Sequence, residues 1–331
     1  MDDNLFDSLG KWLRGNLHCH TTESDGRLAP QEVVDYYSNC GYDFLALTDH
    51  EVVTRVESRK LTLIPGTEIV AGHAVLGDSH HVVALNVEDN DALQRHKLES
   101  LDSLLDYVAS VKGLAFIAHP YWSRLTTRDL SEVGNSLGIE VYNTGCDVLV
   151  AKGFSMVHWD NLLSQGKRPY GFAVDDAHWY PIDSAGGWIW VKVREESTEG
   201  ILAPIREGRF YSTMGPSIDR FTFSNGTVEA RFSPVRRVDL ISMGGSGFSA
   251  STDSYEKVKE TKNDMIRVST DKNAEGVEKA RIELGNRIAH LELRNKSIIH
   301  LRLEGVTFQK YLRLEITDFD GKKAWSNSVS L

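Results

Sequence analysis

Imidazoles and carboxylates fall at the edges of short apolar runs throughout the first 180 residues of this chain. Ten of the twelve histidines lie between His18 and His178, leaving His290 and His300 for the last 153 residues. The segments are NLHCHTTESDG (16–26), LALTDH (45–50), IPGTEI (64–69), HHVVALNV (80–87), AFIAHP (115–120) and AVDDAH (173–178). Strand ends are where an α/β sheet or barrel presents its ligands. Histidines that merely fill structural positions have no reason to recur there, so the pattern points to a metal centre in the N-terminal part.

Between residues 14 and 210 strand-like and helix-like runs alternate, which favours an α/β fold. The first strand is expected at 14–20. A helix follows from Pro30 with Val33, Val34 and Tyr37 on one side and Gly41 past its end. A second strand, 43–48, delivers Asp49 and His50. A third, near 61–69, is separated from the run opening at His81 by too few residues for a parallel crossover, so these two should form an antiparallel hairpin. Leu98, Leu101, Leu104, Leu105, Val108 and Val111 recur with helical period and lead through Gly113 into a strand ending at His119. Strands at 138–142, 169–175 and 187–193 complete a set large enough to close a distorted barrel, and a helix is expected at 198–207.

After Gly215-Pro216 the pattern changes to short alternating runs such as TVEARF, AHLELR and YLRLEITD, separated by Asn225-Gly226, Gly285-Asn286 and Asp320-Gly321. The expected organisation is an α/β domain over 1–216 and an all-β, immunoglobulin-like sandwich over 217–331. Residues 1–215 hold 18 Lys and Arg against 31 Asp and Glu, while the remainder is slightly basic. An acidic surface repels polyphosphate backbones, which disfavours a nucleic-acid polymer as partner and leaves a small anionic or ester substrate open. No apolar run reaches the roughly 18 residues needed to span a bilayer, and the acidic start MDDNLFDSLGKW does not suit a signal peptide. Three scattered cysteines, Cys19, Cys40 and Cys146, fit a reducing cytoplasm.

His18 and His20, two apart in an extended segment, leave the same face and can converge on one ion, with Cys19 pointing away. Asp25, His50, Glu68, His81 and His119 follow, and Asp176 with His178 repeats the two-residue spacing. Asp175 competes with Asp176 as ligand, and His80 with His81, because adjacent strand residues face opposite sides. His73, His80, His96 and His158 otherwise read as surface or packing residues. Asp49 can orient a ligand or cap a loop. Asn143, Arg124 and Arg209 are candidates for substrate contact, and Trp179-Tyr180 for the wall of a pocket.

With HCH, SDG, TDH, PGTE, HVVAL, AHP and DAH in that order, residues 14–178 resemble the polymerase and histidinol phosphatase (PHP) family of metal-dependent hydrolases. WLRGNLHCHT, EVYN, FYSTMGP and DGKKAWSN extend the likeness to its carbaryl-hydrolase-like branch. The resemblance implies a distorted seven-stranded β/α, TIM-like barrel with two or three divalent ions, zinc, manganese or iron, at one mouth. It also implies the ligand sets: His18, His20, Glu68 and Asp176 for the first ion, Glu68, His81 and His119 for the second, and Asp25, His50 and His178 for a third. Two ions sharing Glu68 can hold a water between them and lower its pKa toward neutrality. A carboxyl group free of metal, Asp175 for instance, could then serve as general acid. The expected activity is hydrolysis of a small phosphate monoester such as a nucleotide or sugar phosphate. A carbamate, ester or amide hydrolase on the same metals and a non-catalytic binding module are the alternatives.

Overall fold

The computed structural model describes residues 6, 9–260 and 266–331. It separates into two compact units, Leu9–Ser212 and a second that includes Thr213–Leu331.

The first unit runs β1 (Lys11–Asn16), α1 (Pro30–Asn39), β2 (Phe44–Leu47), β3 (Thr62–Ala71), β4 (His80–Leu85), α2 (Asn90–Glu99), α3 (Leu101–Ser110), β5 (Leu114–Ile117), α4 (Thr127–Glu132), β6 (Gly138–Asn143), α5 (Thr144–Val150), α6 (Met156–Ser164), β7 (Tyr170–Val174), β8 (Trp188–Val193), α7 (Thr198–Arg206) and β9 (Phe210–Thr213). Its strands follow the order β9-β8-β1-β2-β3-β4-β5-β6-β7. β1, β2 and β3 are parallel, as are β5, β6 and β7, while β4 is antiparallel to both its neighbours and β8 is antiparallel to β1. The hairpin expected between the third and fourth strands is present, with Ala71 opposite His80 and Glu68 opposite Val83. The two ends of the strand path also meet. The Ser212 hydroxyl on β9 donates to the Gly171 carbonyl of β7 at 2.7 Å and accepts from Ala173 N at 3.0 Å.

Burial explains why these runs become strands. β2, β5 and β6 are buried along their whole length, as near-continuous apolar runs in parallel sheets should be. Leu13, Phe44, Ile64, Val83, Phe116 and Phe172 form the interior core together with Ile201, Leu202 and Ile205 of α7. Gly15 is needed there, because a Cβ at that position would lie 2.0 Å from the Phe44 ring. On the other side of the sheet Val33, Val34 and Tyr37 of α1 pack with Leu45, Leu47 and Leu61.

Two elements differ from expectation. β1 ends at Asn16, so Leu17 to His20 form an irregular segment, with only Cys19 bridging in parallel to Ala177. The apolar series from Leu98 to Val111 is split at Ser100, whose extended backbone and hydroxyl, accepting from Ser103 N at 3.0 Å, cap α3. Leu104, Leu105 and Val108 are buried, whereas Leu98, left on α2, is 83% exposed.

The second unit contains β10 (Ile218–Ser224), β11 (Thr227–Val235), β12 (Arg237–Ile241), β13 (Gly247–Ser251), α8 (Thr252–Glu260), β14 (Ile266–Lys272), β15 (Glu278–Leu284), β16 (Arg287–Arg294), β17 (Ser297–Glu304), β18 (Tyr311–Thr317), β19 (Lys323–Ser326) and β20 (Val329–Ser330). A six-stranded antiparallel sheet is ordered β10-β11-β17-β16-β15-β14. A second antiparallel group joins β13, β12, β18 and β19, with β20 on β18. The unit is not all-β, since α8 interrupts it and buries Tyr255.

Candidate metal centre

The carboxyl ends of the parallel strands of the first unit set the position of the site. His50 lies three residues beyond β2, His119 two beyond β5 and Asp176 two beyond β7. β3 continues past the end of β2, which places Glu68 beside His50 in an isolated parallel bridge. The two x-His pairs lie side by side: Asp176 N donates to the His18 carbonyl at 2.8 Å and His20 N to the Ala177 carbonyl at 3.0 Å. This register stacks the His20 and His178 rings at 4.1 Å between centroids. His119 and Asp176 have φ of 29° and 55°, left-handed backbone that a side chain rarely adopts unless its surroundings enforce it.

Three ligand groups result: His18, His20, Glu68 and Asp176; Glu68, His81 and His119; and His20, Asp25, His50 and His178. In the first, His18 Nε2 and His20 Nε2 are 3.2 Å apart, and each lies 3.1–3.3 Å from Glu68 Oε2 and Asp176 Oδ1. Those are five of the six edges of a tetrahedron, and edges of that length suit an ion bound at about 2 Å, the bond length of a transition ion to nitrogen or oxygen. The same two oxygens are buried and make no hydrogen bond, so the donor set fits a cation. In the second group Glu68 Oε1 lies 2.8 Å from His81 Nδ1 and 3.1 Å from His119 Nε2. The third is looser and more exposed, with Asp25 3.2 Å from His178 Nε2 and 3.7 Å from His50 Nε2.

Hydrogen bonds behind the ligands select the ring tautomers. His18 Nδ1 is held by Glu140 Oε1 at 2.7 Å, His119 Nδ1 by Ser123 Oγ at 2.9 Å and His178 Nδ1 by the Asp176 carbonyl at 2.9 Å. The carboxylate and the carbonyl accept from Nδ1 of His18 and His178 and so leave their Nε2 as acceptors, while the Ser123 hydroxyl, able to play either role, fixes the His119 ring with Nε2 toward Glu68. Burial acts to lower His20, yet the carboxylates of Asp176 and Glu68 beside it raise its pKa to about 9. His18 and His119 are also raised against burial by the same carboxylates. Burial acts to raise Glu68 and Asp176, but the neighbouring His18 holds both well below the usual carboxylate range. Without metal, protons occupy the place of the cations.

Both sequence ambiguities have a geometric answer. Asp176 faces the cluster, whereas Asp175 is fully buried and turned away. Asp175 Oδ1 accepts from Gly186 N, Gly187 N and Thr144 Oγ1, and its Oδ2 accepts from Tyr37 Oη and Ala185 N. Burial pushes its pKa up against those hydrogen bonds, and with both oxygens held by five donors away from the cluster its geometry does not suit a general acid. His81 joins Glu68, while His80 faces the other side of the hairpin beside Gly72.

The substrate candidates fare differently. Asn143 is fully buried, donates to Asp176 Oδ2 at 3.0 Å and Glu140 Oε2 at 2.9 Å, and caps α5 through Cys146 N. It holds a ligand rather than a substrate. Arg124 forms a two-pronged ion pair with Asp78 outside the cluster. Arg209 pairs with Glu207 and follows Gly208, which abuts Tyr170 at the start of β7, the end opposite Asp176. Asp49 is buried and accepts from Thr21 N, Thr21 Oγ1 and Ser24 Oγ, fixing the turn that carries Asp25. Glu140 escaped sequence reading. Its only signal is a carboxylate inside the fully buried run GIEVYN.

A cavity of about 430 Å³ opens over the ligands, walled by Trp122, Gly145, Cys146, Leu149, Val150 and Trp179. Burial pushes the Cys146 thiol up, with the Asp176, Glu140 and Glu68 carboxylates acting in the same direction, which disfavours the thiolate.

No family model matches the chain. Among curated proteins it is 32% identical over 96 residues to a 5'-3' exoribonuclease of Haemophilus influenzae, covering 27% of this chain and 34% of that protein. It is 33% identical over 84 residues to the 5'-3' exoribonuclease Rnm of Escherichia coli, covering 22% and 27%. The chain thus spans about a third or less of the length of the curated relatives it matches. Among solved structures it is similar, with a TM-score of 0.51 and 16% identity over 97% of this chain and 95% of the other, to a two-domain protein from Bacteroides vulgatus described as containing a predicted PHP-like metal-dependent phosphoesterase. That likeness establishes a shared two-domain fold: a parallel-rich α/β sheet with a separate antiparallel sheet.

Proposed function

We propose that the chain is a metal-dependent hydrolase, a phosphoesterase of the PHP type, whose first unit is a distorted β/α barrel and whose second is an immunoglobulin-like accessory domain. The observation that carries this is Glu68, whose two buried oxygens belong to two adjoining ligand groups beneath one open cavity. Zinc, manganese or iron, when bound there, supplies a nucleophile at neutral pH and stabilises charge on substrate oxygens.

The protein's own residues do the rest. Glu68 spans the first and second groups and fixes their separation. Glu140 and Ser123 keep Nε2 of His18 and His119 aimed inward. Asp25, 57% exposed, and His178 stand at the cavity edge, where either, when the third group holds no ion, can exchange a proton with a leaving group. A small phosphate monoester suits the size of the cavity, about 430 Å³. The exoribonuclease relatives add a phosphodiester end to the candidate substrates, against the acidic charge of residues 1–215. A carbamate or carboxylic ester is the second reading, favoured by the lack of any Lys or Arg in the cavity wall. The free state of Cys19, Cys40 and Cys146 accords with a reducing cytoplasm. Among the described residues no helix is long and apolar enough to cross a membrane.

A panel of phosphate monoesters, diesters and aryl carbamates, assayed with manganese, zinc or iron and with chelator, tests the proposal. Turnover of a phosphate ester is expected, abolished by chelator and restored by a divalent ion. Glu68→Gln should abolish it while the fold persists. A Glu68→Gln protein with normal rate and metal content would remove the bridging role.

A further inference from the structure

We propose that the cavity selects esters carrying an apolar planar ring, with Trp122, Leu149, Val150 and Trp179 as the specificity wall. The chemistry at the ester rests on the hydrolase reading above; the wall does not. Trp122 stands nearly perpendicular to the rings of His81 and His119, at 5.8 and 5.0 Å between centroids, so its indole directly adjoins the second ligand group. It is nevertheless 44% exposed. Leu149 and Val150, at the end of α5, are each about half exposed, and Trp179 is 41% exposed at the other side of the cavity. The Arg27 guanidinium lies 3.9 Å over the Trp179 ring and helps fix its plane. Four large apolar side chains exposed around one concavity are a ligand surface rather than scattered surface apolarity.

The composition of the wall says what it would refuse. Apart from the ligand residues, the cavity is bordered by no charged side chain and by one buried thiol, that of Cys146. Arg124 is paired with Asp78, and Arg27 lies over the Trp179 ring without being part of the cavity lining. A sugar hydroxyl or a second phosphate would lose water here and find no Lys or Arg, and from the wall side chains only the two indole N–H groups and the thiol, in exchange. An aromatic ring loses nothing and gains contact with two indoles.

The test titrates phenylphosphonate and methylphosphonate calorimetrically into the manganese-loaded protein, a readout that needs no turnover. Phenylphosphonate is expected to bind about tenfold more tightly or better, and Trp122→Ala or Leu149→Ala to erase most of that preference. Trp122→Phe should keep most of it. In parallel, Trp122→Ala should lower kcat/KM for phenyl phosphate about tenfold more than it lowers that for glycerol phosphate. Comparing variants in this way cancels the difference in leaving-group acidity. Equal affinity for the two phosphonates, no measurable binding of phenylphosphonate, or equal losses on both esters would overturn the assignment. A phenyl preference without turnover of any ester would uphold the wall and sink the hydrolase reading. Turnover with no phenyl preference would do the reverse.

Discussion

Glu140→Gln should weaken metal binding although Glu140 touches no ion. Its Oε1 faces His18 Nδ1 at 2.7 Å, and its Oε2 accepts from His119 N at 2.7 Å and Asn143 Nδ2 at 2.9 Å. With Nε2 of His18 serving as ligand, all three partners are donors, and only a carboxylate can accept from all of them. Gln has one oxygen. If that oxygen serves His119 and Asn143, the new amide N–H₂ points at His18 Nδ1. The ring must then carry its proton on Nε2, the atom that belongs in the first ligand group. Loss of such a partner costs about 10- to 100-fold in metal affinity, or about 1.4–2.8 kcal/mol. Replacing a charged acceptor should cost the metal-free fold a further 1.5–3 kcal/mol or so. Competition against a chromophoric chelator gives the first number and denaturant unfolding with and without metal the second. Metal affinity within about twofold of the parent would refute the tautomer argument.

Asp175→Asn should lower stability by about 2–4 kcal/mol, because its amide would oppose donors it now accepts from, while metal stoichiometry and the pH profile of the remaining activity stay put. A change in that profile without loss of stability would reinstate Asp175 as an acid. Metal uptake should release protons and strengthen as pH rises toward about 9, the pKa of His20 in the metal-free cluster. Weakly buffered titrations with manganese read this directly, and a pH-independent affinity would contradict it. The raised histidines also make a stability prediction. Their folded pKa values lie above the unfolded value near 6.5, so they stabilise the metal-free protein fully below that pH and lose the contribution as pH climbs through the folded values, about 9 for His20. Unfolding free energy of the metal-free protein should therefore decline between those limits. A chain ending at Pro216 is expected to fold and bind metal, since every ligand lies in Leu9–Ser212. An unfolded or metal-free product would show that the two units share a core.

The sequence alone marked the candidate ligands that the fold brings together, because a residue at a strand's end is placed by local periodicity and its chemistry is printed in its type. His18, His20, His50 and His119 needed no tertiary information to be singled out, whereas Asp176 had to be told from Asp175, and the short 70–80 connection fixed an antiparallel hairpin. Periodicity failed where a single residue broke it, as Ser100 does between α2 and α3 and as α8 does among the C-terminal strands. What joined the ligands into groups was pairing between distant segments, such as Cys19 beside Ala177 and His50 beside Glu68. The same holds for the residues that aim them. Glu140 reaches His18 across 122 positions of sequence, and Asn143 reaches Asp176 across 33. Arg124 and Arg209 looked equivalent as cations near motifs, yet one is neutralised by Asp78 and the other lies at the far end of β7. Local sequence fixes which chemistry a side chain can offer and which way a strand turns it. Only the closed arrangement of strands decides what that side chain meets, because hydrogen bonds and charges act over about 3–4 Å, a distance set by the packing of segments far apart in the chain.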